Sequence, residues 1–318
     1  MTVWFWRCAL GASVILFSGC AGPQSTVGLG AIPEGGGLSM QSQAHLGDLL
    51  YYSGSASGRG VTYILSFPQG KLVGAFNGNG QLCPDTAGNV WVAGYPSGYT
   101  NELTEFAHGG EVPVKILRVA QTKRVFGCAV DPTTGDLATV GSKHHVFIFS
   151  GASAPAKVLS DHYYTGSCTY DSSGNLFVQG FHGDGSGTIE ISELPKGSTK
   201  FKTVRSHVGL YATTGLRWDG KHLTVGQGLF EGGHDLYRYS ILGSHLKSRH
   251  DVSFNGHFDT VFSYWIQGSE AVAATSCVPY SACKPIYLYN YPAGGNPIKT
   301  IGADVVPFLA GPSIAISP

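Results

Sequence analysis

The chain has 318 residues, enough for one large all-β domain or two ordinary ones. Only 13% of its residues are charged, the formal net charge is zero and 46 residues are glycine, against about 25% charge and about 7% glycine in an average soluble chain. Zero net charge excludes a global field that would draw in nucleic acid or anionic lipid, and the low charge with many glycines and aromatics fits short strands joined by tight turns.

In chain order, a single positive charge, Arg7, precedes an apolar run from Cys8 to Phe17. A run of about ten residues is too short to span a bilayer and right for a secretory signal, here placed at residues 1–19. Leu16-Phe17-Ser18-Gly19-Cys20 resembles the bacterial lipobox. That resemblance implies cleavage before Cys20, acylation of its thiol and amine, and attachment to a membrane without a spanning helix. Ala21, by resemblance to Gram-negative lipoproteins, permits export to the outer membrane. The expected location is the bacterial cell envelope, lipid-anchored and extracytoplasmic, at the periplasmic face or the cell surface; plain secretion and a retained anchor are the alternatives. Residues 20–45 are rich in Gly, Ser, Gln and Pro with little apolar periodicity, and read as a flexible tether.

From residue 46 the chain repeats a hairpin. Two apolar, β-branched runs flank Asp-x-x-Gly-Asn or a close variant at Asp85-Thr86-Ala87-Gly88-Asn89, Asp131-Pro132-Thr133-Thr134-Gly135-Asp136 and Asp171-Ser172-Ser173-Gly174-Asn175, with a looser copy at Asp219-Gly220. Asp accepts hydrogen bonds from amides two residues on, and Gly takes a left-handed conformation, so these four Asp are read as turn formers rather than catalysts. A second element, strand–turn–strand, starts at Phe67, Phe106, Phe149, Leu194, Tyr239 and Tyr291, spaced by 39, 43, 45, 45 and 52 residues. A period of about 40–50 residues with four strands per unit predicts propeller blades. The first unit lacks its first strand, which is supplied by the last segment, Pro312-Ser313-Ile314-Ala315-Ile316-Ser317. The expected fold over 46–318 is therefore all-β: a six-bladed β-propeller of four-stranded antiparallel blades, closed by the C-terminal strand joining the first blade. A basic run, Lys196, Lys200, Lys202 and Arg205, reads as a solvated edge whose charges block edge-to-edge pairing.

The hairpins over 82–94, 127–141 and 166–180 resemble NHL-repeat propellers, whose pattern is roughly Gly-apolar-Ala-Val-Asp-x-x-Gly-Asn-apolar-x-Val. The Arg-apolar pair that usually opens the third strand of such repeats is absent, and Trp218-Asp219 falls in a turn, so it is no WD40 signal. The resemblance implies a binding or scaffold module for proteins, carbohydrates or nucleic acids, or, in a minority of such propellers, a metal-dependent lyase or a lactonase-type enzyme.

Seven cysteines occur. Export implies an oxidising compartment. Cys277 and Cys283 flank a loop-like segment and are expected to form a local disulfide. Cys83 sits two residues before its turn Asp, whereas Cys128 and Cys168 sit three before theirs, which places Cys83 on the opposite sheet face. Neighbouring blades meet through opposite faces, so Cys83 and Cys128 can bridge and Cys168 is left as a buried thiol; otherwise all three pack as small apolar groups.

Gly-x-Ser-x-Gly and His-Glu-x-x-His are absent from the chain, and no cofactor is expected. The strongest lead to a metal is His162, His207 and His257, each in the loop entering an innermost strand; converging imidazoles would hold Zn or Ca, with Asp161 or Asp259 beside them. The alternative is three exposed loop histidines. The same face collects Tyr95, Tyr99, His144, Tyr163, Tyr164, Phe181, His182, Tyr211, Phe230, His234 and Phe258. Aromatic groups with polar tips suit carbohydrate or protein binding, or else pack against one another in long loops. The leading expectation is a lipid-anchored, extracytoplasmic binding or scaffold module for a protein or carbohydrate ligand; the alternative is a metal-dependent lyase or lactonase-type enzyme with a histidine-lined channel mouth.

Overall fold

The computed structural model of the chain describes residues 47–181, 188–206, 210–211, 215–226, 234–276 and 284–318. Cys20, the expected signal and tether, His182, His207, Phe230, Cys277 and Cys283 lie outside these residues. All the described residues belong to one compact unit, residues 37–318, and no α-helix occurs among them.

The strands follow in order: β1 (Leu49–Ala56), β2 (Arg59–Ser66), β3 (Leu72–Asn77), β4 (Gln81–Pro84), β5 (Val90–Ala93), β6 (Glu102–Phe106), β7 (Pro113–Arg118), β8 (Val125–Val130), β9 (Leu137–Gly141), β10 (His145–Phe149), β11 (Lys157–Ser160), β12 (Tyr164–Tyr170), β13 (Leu176–Phe181), β14 (Thr188–Leu194) and β15 (Lys202–Ser206). They continue as β16 (Leu210–Tyr211), β17 (Leu216–Trp218), β18 (Leu223–Gly226), β19 (Asp235–Leu242), β20 (His245–Ser248), β21 (Val252–Ser253), β22 (Thr260–Gln267), β23 (Glu270–Ser276), β24 (Ile286–Asn290), β25 (Lys299–Ile301) and β26 (Ala310–Ser317).

Local chemistry closes the hairpins as expected. Asp85 Oδ1 accepts the amides of Ala87 at 2.8 Å and Asn89 at 2.9 Å. Asp131 accepts that of Thr133, Asp171 those of Ser173 and Asn175, and Asp219 those of Lys221 and His222. Gly88 and Gly174 hold φ of +88° and +84° at their turns. A side chain at Gly88 would also meet the carbonyl of Pro318 at 2.7 Å, and one at Gly174 the Thr133 hydroxyl at 2.9 Å. Glycine is therefore required twice over at both sites.

The strands form a propeller-like arrangement of four-stranded antiparallel meanders. Four are separate sheets, ordered β26-β1-β2-β3, β4-β5-β6-β7, β8-β9-β10-β11 and β22-β23-β24-β25. The remaining strands make one ten-stranded sheet rather than two separate four-stranded ones. In it β12–β15 and β17–β20 are joined where β15 and β20 pair in parallel, Arg205 opposite His245 and Ser206 opposite Leu246. The basic run does not keep this edge apart: the Arg205 amide donates to the Ser244 carbonyl at 2.9 Å. Arg205 is exposed, and the pairing is carried by the backbone.

Packing runs between neighbours rather than within a sheet. Six apolar clusters each bridge two consecutive meanders; Trp91, Leu103 and Leu117, for example, pack with Leu137, Phe147 and Phe149. Each fully buried Leu or Phe in such a seam contributes about 1.5–3 kcal/mol. The seam between the ends of the chain uses the same chemistry, with Leu50 and Tyr52 of β1 and Ile314 and Ile316 of β26 against Val272 and Leu288. β26 pairs antiparallel with β1, Leu49 opposite Ser317 and Tyr52 opposite Ile314. It is also bound on both flanks: Leu82 N donates to Ser313 Oγ at 3.1 Å, and Ile314 N to Ser263 Oγ at 3.2 Å. Among the described residues one disulfide, Cys83–Cys128, links β4 to β8 with Cα atoms 5.8 Å apart, and Cys168 is a buried free thiol.

Candidate ligand-binding channel

The first strands of the meanders, β26, β4, β8, β12, β17 and β22, touch one another in that cyclic order and enclose an axial channel. Its larger cavity, about 690 Å³, is walled by Gln81 of β4, Phe126 and Cys128 of β8, Tyr164, Ser167 and Cys168 of β12, Gln179 and Phe181 of β13, Arg217 of β17 and Phe262 of β22. A smaller cavity of about 230 Å³ lies toward the hairpin turns, bordered by Asp85, Tyr170, Trp265 and Ile316. Cys128 and Arg217 line both, so they mark the waist between them.

β-bulges set the shape of the larger cavity. Pairing slips between Val125 and Gly127 in β8, Thr165 and Ser167 in β12, and Val261 and Ser263 in β22. A bulge re-aims the extra residue, and the three extra residues, Phe126, Gly166 and Phe262, all line the cavity. At Gly166 a Cβ would sit 3.3 Å from the ring of Phe181; the missing side chain lets that ring lie across the opening.

The charge lining the larger cavity is of one sign. Arg124, Lys143 and Arg217 contribute to its wall, and among the described residues no carboxylate does. The Arg124 guanidinium lies 4.4 Å from the centre of the Phe126 ring and 6.0 Å from that of Tyr99. Lys143 holds φ of +69°, a costly conformation for a non-glycine residue. Arg217 stacks 4.7 Å from the centre of the Trp265 ring, and its Nη1 donates to the Leu216 carbonyl at 3.2 Å. Its Nε and the Trp265 Nε1 are both buried with no hydrogen-bond partner among the described residues. Burial pulls the Arg217 guanidinium below its ordinary range. Cys168 is pushed up to about 12 by burial, so its thiol stays protonated at neutral pH and is no nucleophile.

The aromatic face expected from the sequence is divided by the structure. Tyr164, 46% exposed, and Phe181, 38% exposed, wall the cavity, and Tyr99 is 72% exposed beside Arg124. His144 packs 4.5 Å from the Tyr164 ring, with its Nδ1 buried and without a partner among the described residues. Four others are turned to packing: Tyr95 bonds the Asn77 carbonyl and contacts Phe76 and Phe106, Tyr163 reaches the Thr203 hydroxyl, and His234 abuts Phe258, which packs on Tyr287. Tyr211 contributes to the backbone pairing of β16 with β14. His162 and His257 are exposed loop residues, and among the described residues no three His, Cys, Asp or Glu side chains are grouped to hold a metal ion. Asp161, beside His162, is buried; Oδ1 receives the His162 amide at 2.7 Å, and burial raises the carboxyl above its ordinary range.

Phe126, Phe262, Arg124 and Arg217 were not expected at the site. Only Arg217 carried a usable signal: it is the single Lys or Arg within the six strands that surround the channel.

No protein-family model and no curated protein matches the sequence. Solved structures resemble the fold at low identity. A protein of unknown function from Bacteroides caccae superposes with a TM-score of 0.59 at 11% identity, over 85% of this chain and 98% of that one. The U3-55K structure superposes with a TM-score of 0.51 at 9% identity, over 71% and 84%. The β-propeller domain of Myceliophteria thermophila Cps50 (Swd1) does so with a TM-score of 0.50 at 12% identity, over 79% and 83%. At these identities the likeness concerns the propeller fold alone.

Proposed function

We propose that the chain is a six-bladed, NHL-like propeller, lipid-anchored through Cys20 outside the cytoplasm, that binds a protein or carbohydrate ligand at the channel mouth. The count of six is supported by the six seam clusters and the cyclic contact of six first strands, with the ten-stranded sheet holding two blades fused at their outer edges. The observation that carries the binding reading is the open cavity of about 690 Å³ rimmed by exposed Tyr164 and Phe181. Its size is that of ligand sites in general, and exposed aromatic groups supply stacking area at low entropic cost. The likeness to the β-propeller domain of Cps50 concerns the fold and does not select a ligand.

The test is a glycan array together with pull-downs from envelope extracts, using the parent chain and a Tyr164→Ala/Phe181→Ala variant. A glycan or protein retained by the parent and lost by the variant, with Tm unchanged, is expected. Equal capture by both would overturn the mouth as the binding face. The lyase or lactonase reading rests on His162, His207 and His257; stoichiometric zinc or calcium removed by chelator, and absent from His162→Ala/His257→Ala, would bring it forward.

A further inference from the structure

We propose that the channel waist is an anion-binding site, in which Arg217 receives the carboxylate of a small organic acid whose apolar body lies against Phe126, Phe181 and Phe262. Four observations converge on it. Arg217 is central, lining both axial cavities. It has no carboxylate partner among the described residues; Asp85, the acid bordering the lower cavity, is engaged by the amides of its own turn and by Asn89 Nδ2. Two buried donors, Arg217 Nε and Trp265 Nε1, belong to stacked side chains and have no acceptor among the described residues. The upper wall then adds Arg124 and Lys143, and no acid among the described residues.

Physical chemistry makes this arrangement costly unless something occupies it. Arg217 is only partly exposed, and a partly buried charge without a counter-ion serves stability less well than an apolar residue of similar size. An unpaired buried donor costs about 1–3 kcal/mol. Nothing in the propeller's packing requires a cation here, because the other five first strands carry none. A ligand carboxylate in the channel would supply the missing charge. A guanidinium that lines a cavity presents planar N–H donors, to which a carboxylate adds charge-assisted hydrogen bonds. The cation–π contact with Trp265 holds the guanidinium plane in place. Above the waist, the wall is aromatic, so the body of the acid is expected to be apolar or aromatic rather than a sugar chain or a bare inorganic ion.

The proposal rests on reading the channel as a binding cavity, and its test separates the two. The full chain is titrated with benzoate, phenyl phosphate, benzamide and benzylamine, following tryptophan fluorescence, which senses Trp265, and heat by calorimetry. Saturable benzoate binding is expected, weakened by added salt, with benzamide and benzylamine at least tenfold weaker. Phenyl phosphate binding more tightly than benzoate would overturn the carboxylate assignment. Arg217→Met is expected to lose benzoate at least tenfold while being no less stable than the parent. Benzoate and benzamide binding alike, unchanged benzoate affinity in Arg217→Met, or no saturable benzoate binding at all would overturn the site. Discrimination between benzoate and benzamide by the parent decides the matter even where the variant does not fold. Benzoate retained by Tyr164→Ala/Phe181→Ala keeps the anion site whatever becomes of the mouth reading. A mouth ligand retained by Arg217→Met keeps the mouth reading if the anion site fails.

Discussion

Tyr291 Oη donates to Asp219 Oδ2 at 2.5 Å, joining the turn after β24 to the hairpin turn between β17 and β18. Asp219 thus serves two scales: Oδ1 closes its own turn, while Oδ2 is shared by Tyr291, by Arg238 at 3.3 Å and by His222 at 3.3 Å. Its side chain is 3% exposed. Burial alone would raise the carboxyl, but the Tyr291 hydroxyl and the His222 and Lys221 amides outweigh it and hold the group below its ordinary range. Tyr291→Phe should cost about 1.5–3 kcal/mol, the worth of a hydrogen bond to a charged group. Urea denaturation at pH 7 measures it. A lowered carboxyl contributes stability that is present above the unfolded value and lost as pH falls through the folded one. Acid unfolding of Tyr291→Phe should therefore begin at higher pH than that of the parent.

The Cys83–Cys128 bridge closes a loop with a sequence separation of 45 residues between the first strands of two neighbouring meanders. Loop-closure entropy puts its worth at about 4 kcal/mol. The Cys83→Ser/Cys128→Ser variant should lose about 2–4 kcal/mol in equilibrium denaturation, and reductant should lower the parent's midpoint without altering the variant's. Equal sensitivity of both to reductant would place the effect elsewhere.

Removing residues 310–318 should unfold the ring rather than fray one end. β26 is the inner partner of β1 and also receives or donates hydrogen bonds at Leu82 and Ser263 on both neighbours. Without it β1 exposes a full edge, and the seam of Leu50, Tyr52 and Val272 loses Ile314 and Ile316. Loss of cooperative melting by circular dichroism is the expected result; a native-like melt would contradict the closure.

Asp161 should titrate in the opposite sense to Asp219. Burial raises its carboxyl, so the folded state holds the proton more firmly than the unfolded chain does. Stability is then highest below the ordinary carboxylate range and falls as pH rises through the raised value. Asp161→Asn keeps an acceptor for the His162 amide without the buried charge. Its Tm should exceed the parent's at pH 7, with the difference closing toward pH 4.

Much of the fold was legible because its signals are local. The Asp-to-amide bonds at Asp85, Asp131 and Asp171 span two to four residues, so pattern and geometry coincide. The period of the second turn located the meanders, and a missing first strand pointed to Ile314 and Ile316. The Cys83–Cys128 pairing followed from which sheet face each residue occupies. Side-chain direction in the loops was not legible. Tyr95 and Phe258 belong to the loops expected at the mouth, yet both rings are drawn into aromatic contacts with neighbouring elements.

The amino-acid sequence by itself determined the all-β class, the repeated hairpins and the closing strand, because turn chemistry and alternation act over a few residues. Only the tertiary structure decided that β15 and β20 meet edge to edge, since that depends on how two outer strands approach in space. It also decided that Phe126 and Phe262 are turned into the channel by bulges, which no composition signals. Arg217 shows the division most plainly: its place as the lone cation of the first strands is written in the sequence, but its lack of a counter-ion among the described residues exists only once those strands are brought around one axis.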